Sequence, residues 1–278
     1  MTSYINVPTK TLTTPTNKTF AYREVGIDSG IPVIGLIHLS GNLDNWDPSV
    51  IDGIAKEHRL ILPDYQGVGG SGGKASPTIQ GMAKEIREFI HALGFEKVDL
   101  FGFSMGGFVA QEVINQESTL IRRALLTGTG PRGGEGISNV TKISDQSLVK
   151  AIFTLTDIKT YLFFTRTANG KHQAKEFLSR IKARKANRDR SIGWPAYRTQ
   201  LKAINKWGSE QPINFSKVEV PVLVANGDHD AMVPTKPNSY NLAKAFPNSQ
   251  LVIYPDAGHA GVFQFSEDFV KQANQFLR

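Results

Sequence analysis

The chain has 278 residues, 40% of them hydrophobic and 21% charged, and its formal net charge is +7. It contains no cysteine, which excludes a zinc ribbon, an iron–sulfur cluster, a thiol nucleophile and a disulfide scaffold. A chain of this length allows one large domain or two small ones and needs no metal or disulfide to support its core.

The stretch Met1-Thr2-Ser3-Tyr4-Ile5-Asn6 has neither a basic n-region nor an apolar h-region, so no signal peptide is expected. Apolar runs are about six residues long, far short of the ~20 that span a bilayer. The expectation is a soluble, cytoplasmic protein. Along the chain, β-rich runs at 19–25, 33–39 and 59–63 are followed by a helical pattern at 79–93, with Met82, Ile86, Phe89, Ile90 and Leu93 on one side and Gly94 as a stop. Next come a strand at 98–103, a helix at 108–116 and a strand at 121–127. Further strands are expected at 220–225 and 250–254, and a closing helix at 263–277. Short strands alternating with helices are the signature of a mostly parallel, doubly wound α/β sheet.

Residues 131–215 break that alternation. They open on Gly130-Pro131-Arg132-Gly133-Gly134, a turn or linker, and then read as helices at 146–155, 159–166, 172–187 and 195–207. Such an insertion is expected to form a helical cap, or lid, over a site at the C-terminal edge of the sheet, with 1–130 and 216–278 forming the core. The insertion is also basic. Residues 131–217 hold 17 Lys+Arg against 6 Asp+Glu, so the rest of the chain is net negative. The segment 180–190 is dense in basic residues but has no aromatic to serve as a stacking platform, which favours solvated helix faces over a nucleic-acid partner.

The strongest chemical signal is Gly102-Phe103-Ser104-Met105-Gly106-Gly107, set between a strand and a helix. A serine on so tight a turn needs glycines on both sides, because neighbouring backbone comes very close. The turn exposes the hydroxyl, and the helix start behind it offers backbone N–H groups to a developing oxyanion. The sequence has six histidines from which a base can come. His259 lies just past the last strand and before the last helix, on a loop at the same sheet edge. After the strand at 220–225, Asp228 and Asp230 flank His229 on a tight turn; with Asp230 as the orienting acid, the order is Ser…Asp…His. Two G-x-G-x-x-G matches, starting at Gly67 and Gly128, do not open a helix directly and so do not indicate nucleotide binding.

These residues resemble those of the α/β-hydrolase superfamily over nearly the whole chain. Gly227-Asp228-His229-Asp230 followed by Val233-Pro234 is similar to that family's acid loop, in which the fourth residue is the acid. Ala257-Gly258-His259 resembles its catalytic-histidine loop, and Pro63-Asp64-Tyr65-Gln66-Gly67-Val68-Gly69-Gly70-Ser71 its loop after the fourth strand, with Gln66 where arginine is usual. After the third strand the family usually has His-Gly-x, whereas this chain has His38-Leu39-Ser40. By analogy the backbone amides of Ser40 and Met105 form the oxyanion hole, with Leu39 replacing Ser40 if the turn is re-registered.

The resemblance implies an α/β-hydrolase fold and a serine hydrolase using Ser104, His259 and Asp230, with no cofactor, no metal, no nucleic acid and no membrane. Its substrate is expected to be a small-molecule carboxylic ester or lactone. A peptidase, C–C hydrolase or perhydrolase on the same triad is an alternative, as is a ligand sensor in which the cap recruits a partner. Of the cap aromatics Phe153, Tyr161, Phe163, Phe164, Trp194, Tyr197 and Trp207, about half are expected to form the core of the cap and the others an apolar pocket rather than an anion site, with Trp194, Phe163 and Trp207 as its candidate walls.

Overall fold

In a computed structural model, which describes residues 2–278, the apolar runs build one eight-stranded sheet. Its strands are β1 (Thr9–Thr13), β2 (Thr19–Gly26), β3 (Val33–Leu36), β4 (Arg59–Pro63), β5 (Val98–Phe103), β6 (Ile121–Thr127), β7 (Val222–Gly227) and β8 (Ser249–Tyr254), in the spatial order β1-β2-β4-β3-β5-β6-β7-β8. β2 runs antiparallel to both β1 and β4, and all other neighbours are parallel. β3 and β5 are buried along their whole length, as strands covered on both faces must be.

β1 is the strand that the apolar pattern does not announce. Thr9–Thr13 carries one apolar side chain, Leu12, and lies exposed at the sheet edge, where pairing to β2 rather than burial holds it. β3 is shorter than its apolar run, because the chain leaves the sheet after Leu36 to enter the turn that carries His38, Leu39 and Ser40.

The core helices are α1 (Pro48–Ala55), α2 (Ile79–Ala92) and α3 (Met105–Gln116), and after them come four helices between β6 and β7: α4 (Val140–Thr154), α5 (Lys159–Phe163), α6 (Ala168–Ile181) and α7 (Trp194–Ser209). α8 (Thr235–Ala245), α9 (Gly261–Gln264) and α10 (Ser266–Leu277) complete the chain. α2 starts where the Thr78 hydroxyl accepts from the Gly81 amide and stops at Gly94, whose φ of +81° suits a residue without a Cβ. Strand alternation places the core helices on opposite faces. Phe101 packs on Phe269 of α10, while Gly102, the next residue and hence on the other face, meets Gly106 and Gly107 of α3. Among the described residues, no helix is long and apolar enough to cross a membrane.

Candidate active site

Ser104 sits on the turn from β5 into α3 with φ +59° and ψ −120°, a strained conformation for a residue with a side chain. Two close approaches permit it. A Cβ on Gly102 would lie 2.6 Å from the Gly106 carbonyl oxygen, and one on Gly106 would collide with the Leu36 carbonyl oxygen at the end of β3. The Ser104 amide donates to the Thr127 carbonyl (2.9 Å), and the Thr129 hydroxyl donates to the Ser104 carbonyl (3.0 Å), so β6 holds the turn from the other side.

The loops after β7 and β8 are joined by their own backbone. The Asp228 amide donates to the Tyr254 carbonyl, and the His229 amide to the Ala257 carbonyl, both at 2.9 Å. That bracing brings Asp230 and His259 together. His259 Nδ1 lies 2.7 Å from Asp230 Oδ2, and His259 Nε2 lies 2.8 Å from Ser104 Oγ. The other Asp230 oxygen accepts from the Met232 and Val233 amides at 2.8 and 2.9 Å. A carboxylate so held only accepts, so the imidazole carries its N–H on Nδ1 and its Nε2 accepts from the serine hydroxyl. The arrangement can draw a proton from Ser104 and hold the resulting imidazolium against a buried carboxylate. Asp228 has a different position: it is exposed, and its Oδ1 accepts from the Ala257 amide (3.1 Å) and from His229 Nδ1 (2.6 Å), which braces the turn.

Aromatic rings enclose the imidazole. Phe103 and Phe163 stand 5.3 and 5.6 Å from its centroid, and Phe177 and Phe263 stack behind them. Above Ser104 lies a cavity of about 240 Å³, lined among others by Leu148, Leu162, Phe163, Trp194 and Met232. Trp194 and Phe163 thus face the cavity, whereas Trp207 does not. Its ring stacks on Phe108 with centroids 5.6 Å apart, so it joins α7 to α3, and the expectation that it walls the pocket is corrected. The reason is helical phase: Trp207 is at the C-terminal end of α7, on the stripe with Ile204 that packs inward, while Trp194 at the opposite end is exposed.

The turn after β3 departs from the expected arrangement at Ser40. The Gly41 amide donates to the His38 carbonyl (3.0 Å) and Ser40 has φ +61°, as at the third position of a type II turn. The Ser40 amide, the expected second oxyanion donor, donates instead to Gln200 Oε1 of α7 at 2.8 Å. With leucine at position 39, the left-handed residue of this turn is Ser40, and its amide points to α7. Met105, at the first position of α3, has no carbonyl within its own helix to receive its amide. Gln200 had a signal in the sequence, a polar residue on the buried stripe of an amphipathic helix, but nothing local says what it meets.

His38 is buried beside these groups. Its Nδ1 lies 2.7 Å from the Leu39 carbonyl oxygen, and burial, with the Lys159 charge second, pushes it down to about 3, so it stays neutral. Asp64 is structural, accepting from the Leu43 and Gly70 amides, and Gln66, where the family has arginine, donates to the Thr19 carbonyl. No group of three or more His, Asp or Glu that could hold a metal ion occurs among the described residues.

Residues 32–266 match the family model described as alpha/beta hydrolase fold. An alpha/beta hydrolase fold protein from Chitinophaga pinensis superimposes with a TM-score of 0.94 at 32% identity, over 99% of each chain. The enol-lactonase from Burkholderia xenovorans LB400 shares the fold, with a TM-score of 0.77 at 19% identity over 96% of this chain and 99% of that one. Among curated proteins, the pimeloyl-[acyl-carrier protein] methyl ester esterase of Aliivibrio salmonicida is 24% identical over 84% of this chain and 87% of its own. With the eight-stranded sheet and a match over most of its length, the chain belongs to the α/β-hydrolase family.

Proposed function

We propose that this protein is a cytoplasmic serine hydrolase that cleaves small carboxylic esters or lactones through an acyl-enzyme. The observation that carries the reading is the relay Ser104–His259–Asp230, with heavy-atom distances of 2.8 and 2.7 Å, opening into a mostly apolar cavity. Ser104 Oγ attacks the acyl carbonyl while its proton passes to His259 Nε2. The imidazolium then delivers that proton to the leaving oxygen, and the C–O bond breaks to leave the acyl group on Ser104. Water attacks the acyl-enzyme by the same route in reverse. The oxyanion is met by the Met105 amide and by one from the turn after β3, either Leu39 or Ser40 once Gln200 releases it.

Cavity size supports small substrates, since about 240 Å³ falls below the ~300–1,000 Å³ of sites for drug-sized ligands. The named activities of two relatives, a methyl ester esterase and an enol-lactonase, lie in the same chemical class. A fluorophosphonate should label the Ser104 peptide, and Ser104→Ala should abolish both labelling and ester turnover, with a loss on the order of 10⁴–10⁶-fold. Near-wild-type turnover in that variant would remove Ser104 from the mechanism.

A further inference from the structure

The cavity over Ser104 has one formally charged group on its wall, Lys159 from α5, set among Leu148, Ile158, Leu162, Ile192 and Met232. The lysine side chain is only 21% exposed. Asp157 is its one carboxylate within 4 Å among the described residues, and it stands 3.7 Å from Lys159 Nζ. Lys182 shares the same carboxylate, also at 3.7 Å. Both separations exceed the ~2.7–2.9 Å of a charge-assisted hydrogen bond. One carboxylate is thus shared by two ammonium groups, of which only that of Lys159 belongs to a cavity-lining residue, so Lys159 has no carboxylate of its own. The arginines of α6 and the segment after it are engaged elsewhere: Arg180 with Asp47, Arg184 with the Ile5 and Val7 carbonyls, Arg188 with Asp44, Arg190 with the Gly69 carbonyl. Lys159 is thus distinguished from the rest of the basic insertion by its place on the cavity wall.

An ammonium group held in an apolar wall is costly unless an anion meets it. The geometry points to Lys159 as a specificity-determining residue that binds a carboxylate carried by the substrate. The favoured substrates are then short monoesters of dicarboxylic acids, or small esters and lactones bearing a carboxylate on either side of the scissile bond. A single positive charge in a small cavity suits a carboxylate better than a dianionic phosphate. The inference rests on the serine-hydrolase reading and narrows it.

Two isosteric pairs test it: monophenyl glutarate against its terminal carboxamide, and 4-carboxyphenyl butyrate against 4-carbamoylphenyl butyrate. The readout is the ratio of kcat/KM for anion over amide within each pair, and comparing that ratio between wild type and variant cancels the intrinsic reactivity difference within the pair. Wild type should favour the anion by about ten- to a hundredfold in one pair, the range of a hydrogen bond to a charged group. The pair that shows the preference identifies the acyl or the leaving side. Lys159→Met should bring the ratio to about one or below, and Lys159→Arg should keep it above one. Turnover of the amides reports that each variant is folded. A wild-type ratio near one in both pairs, or a ratio that Lys159→Met leaves unchanged, overturns the assignment. If all four esters resist wild type and a fluorophosphonate fails to label Ser104, it is the serine-hydrolase reading that falls.

Discussion

The two flanks of the helical insertion meet their surroundings through different physics. On the α6 flank, Arg180 grips Asp47 with two parallel bonds of 2.9 and 2.7 Å, and Arg184 donates to the Ile5 and Val7 carbonyls at 3.0 and 2.9 Å. The Asp189 amide adds a bond to Asp44 at 2.8 Å. On the α4 flank the helix ends in Val149, Ile152, Phe153 and Leu155, with exposures of 54, 64, 84 and 95%. One flank is clasped to the core by planar cations whose forks suit carboxylates and carbonyls. The other ends in apolar groups that bury little and so have little to lose by moving. The arginine surplus of the insertion is therefore largely a fastening, and the apolar surplus at the end of α4 is not.

The most damaging way to test that contrast is to remove Asp47. Its side chain is fully buried, caps α1 by accepting from the Ser49 amide, and receives Arg180. Asp47→Ala loses a helix cap and strands a cation, and should destabilise the fold by about 2–4 kcal/mol in denaturant titration. A loss under 0.5 kcal/mol would show that the clasp is decorative.

A smaller effect, with a pH signature, is expected where the clasp crosses the Asp64 loop. Burial first, and the hydrogen-bonded Asp189 carboxyl second, hold the Asp64 carboxyl well above the usual carboxylate range. The folded chain therefore keeps a proton that the unfolded chain releases near its ordinary value. This contribution to stability is fully present below that value and declines as pH rises through the raised one. Asp189→Asn lets an amide N–H take the proton's place. The variant should gain on wild type by about 1 kcal/mol at pH 8 and by much less near pH 4, read as Tm against pH. A difference in Tm that is flat with pH would exclude a shared proton.

What could and could not be read from the sequence follows the same division. The meeting of the candidates Ser104, Asp230 and His259 is legible in the sequence because each sits on a short loop directly after a strand, where spacing and glycine chemistry are local. Lys159, Gln200 and Trp207 were not separable from their neighbours, since a helical pattern gives a stripe but not the partner it faces. The basic residues of 180–190 looked like a solvated surface because Arg180 finds Asp47 across 133 positions, beyond any local pattern. β1 was invisible for the opposite reason: an edge strand held by backbone pairing needs no apolar alternation.

The gentlest probe lies on the α4 flank. Leu155 is the C-cap of α4 with φ +51°, and its side chain is almost wholly exposed. Leu155→Gly should stabilise the protein by about 0.5 kcal/mol, because only the strain is removed. A measurable loss instead would mean that Leu155 is covered in solution.

The Gln200–Ser40 hydrogen bond has a consequence for anyone who would retune this enzyme. Trp194 and Tyr197, two cavity-lining aromatics on α7, share a helix with Gln200, which holds the turn after β3 at the edge of the same cavity. Repacking that helix to admit a different ligand also moves the peptide that Gln200 grips. Changes of substrate range sought on α7 should therefore arrive coupled to changes in turnover, whereas changes on α4 or α5 leave that lever alone.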